Sequence, residues 1–335
     1  MLNPKAKLAE NIFSKPDEKP TRDGFGKGLL ELGEINPEVV VLCADLAEST
    51  RVLAFKEKYP ERYIELGVAE QNLATVASGL ANYGKIPFIT SYATFSPGRN
   101  NEQIRTTISI NQVPVKIAGS HAGLSVGPDG ATHQALEDIA LMRVQPNMTV
   151  LSACDAEEAF RATLAAAVYP GPVYLRFARA NTPVMTTKET PFEFGKILEV
   201  WKGKDPEVIV FATGPLLYNA LLAAKELEKK VSVLVVNVHT IKPLDTDAII
   251  KLSKKAGAVV TVEEHQIAGG LGSAIAETLS SACAVPIEFI GVHDRFGQSG
   301  EPKELIEHYG MGVSAIVDAI RRAKRRKVPS GGKAK

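Results

Sequence analysis

The chain is poor in cysteine: three in 335 residues (Cys43, Cys154 and Cys283), odd in number and far apart. That excludes a disulfide framework and a cysteine-based zinc cluster, and it fits a reducing, cytoplasmic setting. An excess of one charge is lacking too, with 39 Lys and Arg against 38 Asp and Glu. Composition therefore gives no reason to expect a nucleic-acid or membrane partner. No apolar run approaches the ~20 residues that a membrane span needs. The opening Met1-Leu-Asn-Pro-Lys5 has no apolar core of the signal-peptide kind. Low complexity is confined to the end, where the basic Arg321-Arg-Ala-Lys-Arg-Arg-Lys327 precedes Pro329-Ser-Gly-Gly-Lys-Ala-Lys335. Residues 326–335 read as a disordered basic tail, and the charged helix end before it as a solvated face.

What is present is an ordinary globular composition, 45% apolar and 23% charged, in a chain long enough for about two domains. Short β-branched runs alternate with longer amphipathic stretches, which predicts βαβ units and parallel sheets: two doubly wound α/β domains. In the first series Val39–Cys43, Ile86–Thr90, Val115–Ala118, Thr149–Leu151 and Val173–Leu175 read as strands, almost wholly apolar, as strands covered on both faces should be. Gly24–Leu32, Gln71–Tyr83, Glu102–Ile110, Ala135–Arg143 and Ala156–Val168 read as helices. Thr182-Pro-Val-Met-Thr-Thr-Lys-Glu-Thr-Pro191 has no period and reads as a break. A second series follows, with strands Val208–Phe211, Val231–Val236, Ala258–Val262 and Ile287–Ile290 and helices Pro215–Glu228, Asp245–Lys255, Gly272–Ala282 and Ser314–Lys324. The expected division is an N-terminal extension (1–20), a first domain (21–182), a linker (183–193) and a second domain (194–325).

Three places concentrate side chains that can do chemistry. Glu70 follows the strand Arg62–Leu66 and opens a helix, at the carboxyl end of a strand, where open parallel sheets build ligand crevices. Taken alone, it is also what the helix dipole favours at a solvated helix start. Tyr92 and Phe95 follow the next strand, where aromatics ordinarily pack the core. His121, Asp129 and His133 lie in the glycine-rich Gly119-Ser-His-Ala-Gly-Leu-Ser-Val-Gly-Pro-Asp-Gly-Ala-Thr-His-Gln134, a loop of the kind that carries function rather than stability. Two histidines and an aspartate could ligate zinc, but no cysteine or further histidine stands nearby to complete the set. In the second series Glu263-Glu-His-Gln-Ile-Ala-Gly-Gly-Leu-Gly-Ser273 invites comparison with a nucleotide loop, yet the GxGxxG and P-loop spacings are missing. His265 and its glycines are read as structural or interface features.

Gly67-Val-Ala-Glu-Gln-Asn72, Tyr92-Ala-Thr-Phe95, Glu102-Gln-Ile-Arg105 and Asp129-Gly-Ala-Thr-His-Gln134 with Ala135-Leu-Glu-Asp138 together resemble the pyrimidine-binding half of transketolase. The resemblance implies thiamine diphosphate as cofactor. It makes Glu70 the carboxyl that hydrogen-bonds N1′ of the aminopyrimidine and promotes the imino tautomer that takes the thiazolium C2 proton, with burial against the cofactor raising its pKa. Phe95, with Tyr92, would pack on the pyrimidine ring, and Asp45 would reach the cofactor region across a subunit interface. His121, Asp129 and His133 would face the sugar, the histidines serving binding and proton transfer. Arg22, Ser49 and Arg179 match the positions that hold a sugar phosphate, where a guanidinium fork suits phosphate oxygens; Arg176 is a weaker candidate beside them. The segment Ser96-Pro-Gly-Arg-Asn-Asn101 departs from the more aromatic run of many relatives, so a third ring contact there is not implied.

The same resemblance covers nearly all of the chain but only the C-terminal half of a full-length transketolase. The Gly-Asp-Gly and following Asn that hold the diphosphate and its metal in that family are missing; Pro128-Asp-Gly130 is not that motif. The implied assembly is a split transketolase. A separate N-terminal subunit would hold the diphosphate and Mg2+ (or Ca2+), this chain would contribute no metal ligand, and the two would join as an α2β2 heterotetramer acting on sugar phosphates in the pentose phosphate pathway. The alternatives of similar build are a 1-deoxyxylulose-5-phosphate synthase, a 2-oxoacid dehydrogenase beta subunit, and a non-catalytic regulatory subunit of the same fold. The last fits poorly with a chain that keeps Glu70, His121 and His133 together.

Overall fold

The structure, a computed structural model, describes residues 1–327. Twelve strands, numbered here in chain order, build two main sheets. The first uses β1 (Val39–Cys43), β2 (Tyr63–Glu65), β3 (Ile86–Tyr92), β4 (Lys116–Ser120), β5 (Thr149–Ser152) and β6 (Val173–Arg176). The second uses β7 (Leu198–Trp201), β8 (Val208–Ala212), β9 (Val233–Asn237), β11 (Val259–Gln266) and β12 (Ile287–Val292). The short β10 (Thr240–Lys242) belongs by sequence to the second series but pairs antiparallel with β5, giving the first sheet the order β10-β5-β6-β4-β3-β1-β2. The second sheet runs β12-β11-β8-β9-β7, parallel except for the edge strand β7.

Both sheets are doubly wound, as the patterning predicts. Strands β1, β4, β5 and β6 are buried along their whole length, so their apolar runs serve two faces at once. One face of the first sheet is covered by the helices Thr21–Ile35 and Ala156–Val168 through Phe25, Leu29, Leu32, Ala159, Ala162 and Ala166. The other is covered by Glu70–Asn82, Ile104–Ser109 and Asp138–Arg143 through Leu73, Ala77, Ile108, Ile139 and Met142. That second layer is continuous with Phe211, Val236, Leu271 and Ile275 of the second unit, so one apolar core crosses between the two.

The differences from the sequence reading have local causes. The helix expected from Ala135 starts only at Asp138, because Ala135 bridges to Ala122 and Leu136 accepts a backbone bond from Gln266. Glu102–Ile110 is a three-residue helical turn, Asn101–Gln103, followed by a π-helix, Ile104–Ser109. The N-terminal extension is a packed strap: Asn3 bonds to β7, Ile12 is fully buried, and Glu18–Lys19 pairs with Thr182–Pro183 at the start of the expected linker. Arg326 closes the last helix, Val313–Arg326, whose basic face ion-pairs in part with Glu288 through Arg322 and Arg326. The rest of the expected tail, 328–335, lies outside the described residues. Among the described residues no helix is long and apolar enough to cross a membrane.

Candidate active site at the carboxyl edge of the first sheet

The chain leaves β1, β3, β4 and β6 at the same edge, and the candidate residues gather there. Glu70 is the first residue of its helix and only 1% exposed. Its Oε2 accepts from Arg99 Nη1 at 2.6 Å and its Oε1 from Ser91 Oγ at 3.3 Å. Its backbone carbonyl accepts from Asn100 Nδ2 at 2.9 Å. A buried charge is tolerable when paired in this way.

Tyr92 and Phe95 stand beside it as a near-parallel pair, ring centroids 5.9 Å apart and 18° between planes. His121 stacks on Tyr92 at 3.8 Å, while His133 meets Phe95 edge-on at 5.5 Å and Tyr92 at 6.0 Å. Two aromatic rings and two imidazoles that lie far apart in the chain thus form one cluster.

His121 holds a left-handed backbone (φ 55°) where β4 ends. Arg22 Nη1 lies 3.2 Å from its Nε2, and Ser120 Oγ lies 2.9 Å from its Nδ1. Arginine can only donate, so Nε2 accepts and the ring proton sits on Nδ1, bonded to the Ser120 hydroxyl. Burial, and then the charges of Arg22, Arg179 and Arg51, lower the pKa of His121 to about 3. It is therefore a neutral imidazole at physiological pH.

Arg22 also donates to the Ser49 carbonyl at 2.7 Å. Its Nε is buried without a partner, and burial followed by the neighbouring Arg51 lowers its pKa. Arg179 donates to Val126 O at 2.7 Å, tying β6 to the turn before Gly127. Three guanidiniums around an uncharged imidazole, one with a free buried donor, fit an anion with several acceptor oxygens. Arg51, which no sequence motif marks, follows Ser49 by two residues in a turn and bonds Asp23 at 2.7 Å. No motif marks Arg99 either; it sits in the segment Ser96–Asn101, which departs from the more aromatic run.

Not every candidate joins this cluster. His133 reaches it, its Nδ1 2.9 Å from Thr132 Oγ1, but Asp129 is exposed on the loop rim. Asp45 is exposed at the end of β1, where its amide donates to Glu65 Oε1 at 2.7 Å. Among the described residues no hydrogen bond joins either carboxylate to the cluster. Arg176 is engaged in architecture: it is 4% exposed, holds Asp138 at 2.7 Å and donates to Glu264 O at 2.9 Å.

The second unit braces the glycine-rich loop. Glu264 Oε1 accepts from the Ser125 amide at 2.5 Å, and Gly123 (φ 86°) permits that approach, since a Cβ there would lie 2.5 Å from the same oxygen. Gln134 donates to Leu124 O at 3.1 Å and Gln298 O at 3.0 Å. The nest at Gly270-Leu-Gly272 is filled from within: Glu263 accepts from the amides of Leu271 and Gly272 at 2.7 and 2.8 Å. His265 is buried behind it, its Nδ1 2.7 Å from Gln266 O, so this loop's polar groups are engaged within the fold.

Residues 17–185 match the profile of the transketolase pyrimidine-binding domain, and 196–316 that of the transketolase C-terminal domain. The chain belongs to the transketolase family. A Methanocaldococcus jannaschii protein named for the C-terminal section of transketolase is 42% identical over 306 residues, covering 90% of this chain and 95% of that protein. A 6-deoxy-6-sulfo-D-fructose transketolase subunit of Clostridium sp. strain MSTE9 is 38% identical, covering 93% and 97%. A solved split-gene transketolase, described as an inactive β4 tetramer, superimposes with a TM-score of 0.86 at 43% identity, covering 92% of this chain and 99% of that one. Of the human transketolase, 33% identical, the chain spans 49%.

The residues fit one half of a thiamine diphosphate site. A buried carboxylate next to stacked aromatic rings suits an aminopyrimidine, which needs a hydrogen-bond partner at a ring nitrogen and an apolar face. Among the described residues no group of three or more His, Cys, Asp or Glu is placed to hold a metal ion.

Proposed function

We propose that the chain is the C-terminal subunit of a two-chain transketolase, transferring a two-carbon ketol unit from a ketose phosphate to an aldose phosphate. The observation that carries this reading is Glu70: a fully buried carboxylate at the sheet's carboxyl edge, beside Tyr92, Phe95, His121 and His133. When bound, thiamine diphosphate supplies the carbon nucleophile and the electron sink. Glu70 shares a proton with N1′, while Phe95 and Tyr92 fix the plane of the ring. One carboxylate oxygen, Oε1, is already held by the Ser91 hydroxyl, so the acid keeps its place as the ring binds.

His133, not committed to a charged partner, is the group that exchanges protons with sugar oxygens, with Asp129 binding a hydroxyl from the rim. His121 plays a different part. With Nε2 held by Arg22 it orients the guanidinium rather than acting as a free base. Arg22, Arg179 and Ser49 hold the terminal phosphate, and Arg51 adds positive potential. Asp45 faces a neighbouring subunit.

The diphosphate and its Mg2+ (or Ca2+) belong to an N-terminal partner chain, in an α2β2 assembly. The inactive β-only tetramer among the solved relatives supports this division of labour. The test is C2 proton exchange in the reconstituted complex. Glu70→Gln should slow it by about 10²–10⁴-fold, and an unchanged rate would remove Glu70 from its role.

A further inference from the structure

In the reading above, Glu70 offers a carboxylate oxygen and Phe95 a ring face to one planar, nitrogen-bearing heterocycle. In the structure a single side chain engages both. Arg99 Nη1 lies 2.6 Å from Glu70 Oε2, and the guanidinium carbon stands 4.8 Å over the centre of the Phe95 ring. A guanidinium is flat, delocalised and carries N–H donors in its plane. It therefore meets the same two demands as an aminopyrimidine: a hydrogen bond to the acid and stacking on the aromatic.

The backbone beneath Arg99 is anchored independently of this contact. Asn100 Nδ2 holds Glu70 O at 2.9 Å and Ser96 Oγ at 3.1 Å, and the Arg99 amide donates to Phe95 O at 2.8 Å. The side chain is 47% exposed while Glu70 is 1% exposed. The guanidinium can thus swing into solvent without moving the turn, whereas Glu70 has nowhere to go.

We propose that Arg99 is an internal stand-in for the aminopyrimidine, pairing the buried acid until the ring displaces it. The proposal rests on the assignment of Glu70 to the cofactor. Before assembly the arrangement spares the chain an unpaired buried carboxylate, which would be costly. At assembly it lowers apparent cofactor affinity by the fraction of molecules in which the latch is closed.

Calorimetric titration of thiamine diphosphate with Mg2+ into the complex with the N-terminal subunit tests this. Arg99→Gln should bind about three- to tenfold more tightly than wild type, with Arg99→Lys between the two because it keeps the charge but not the stacking plane. In the isolated chain Arg99→Gln should lower the melting temperature. Unchanged or weaker cofactor binding by Arg99→Gln would make Arg99 a support of the site and overturn the proposal. So would an unmoved melting temperature, since the ion pair would then carry no weight. C2 exchange in a Glu70→Gln complex separates the two levels. A wild-type rate there would sink the Glu70 assignment and this proposal together. Lost exchange without tighter binding by Arg99→Gln would sink this proposal alone.

Discussion

Arg179→Ala probes the phosphate reading where it is most exposed to failure. Arg179 is half-buried, one of its nitrogens bonds Val126 O at 2.7 Å, and its charge adds to those of Arg22 and Arg51 around His121. Under the proposed function its remaining donors would serve a bidentate contact with phosphate oxygens, and such a charge-assisted contact contributes about 1.5–3 kcal/mol. At ~1.4 kcal/mol per factor of ten, that is roughly a ten- to hundredfold loss in kcat/KM, nearer the lower figure because solvent reaches the group. The assay compares a phosphorylated aldose acceptor with glycolaldehyde in the reconstituted enzyme. The loss should fall on the phosphorylated acceptor, with part of it in kcat, because remote binding energy also positions the reacting end. Arg179→Lys should recover only part, since an ammonium lacks the fork. Equal losses for both acceptors would exclude a phosphate contact and leave Arg179 as the clamp on the Val126 turn.

Other outcomes follow from the same geometry. Glu70→Ala should remove turnover yet change stability by less than about 1 kcal/mol, because its partner Arg99 is half in water, as urea unfolding will check. Asp138→Asn leaves the buried Arg176 charge uncompensated and should cost about 3–5 kcal/mol in the same assay. His239 is buried against Phe192 with its pKa lowered to about 3. Its native state resists protonation that the unfolded chain accepts from about 6.5 downward, so the stability of wild type relative to His239→Gln should be greatest above that pH and fall steadily toward pH 3. A pH-independent difference between the two melting curves would contradict that burial.

Much of the fold was legible because each element carried its own period. Val39–Cys43 and Ala156–Val168 appear in the structure with the bounds the patterning predicts, since apolar runs and a 3.6-residue stripe are local properties. Strand β10 was not legible: three residues, Thr240–Lys242, gain strand geometry only by pairing with β5, more than eighty residues earlier in the chain. The delayed start of the helix at Asp138 has the same origin, a contact with Ala122 that sequence periodicity cannot register. At the site, the motifs pointed to Glu70, Tyr92, Phe95, His121 and His133, and the fold brings these together. The charges that set their state were invisible. Arg99 and Arg51 act through distances across turns, and the Nδ1–H tautomer of His121 follows from a guanidinium ninety-nine positions away.

Under the proposed function this chain holds half of a catalytic site. The most direct measurement is ketol transfer by the purified chain with thiamine diphosphate and Mg2+, alone and with a separately purified N-terminal subunit carrying Gly-Asp-Gly. The expected result is no transfer by the chain alone and robust transfer by the mixture, from a ketose phosphate to an aldose phosphate. Full activity of the chain alone, or a mixture that instead condenses pyruvate with an aldose phosphate, would contradict it.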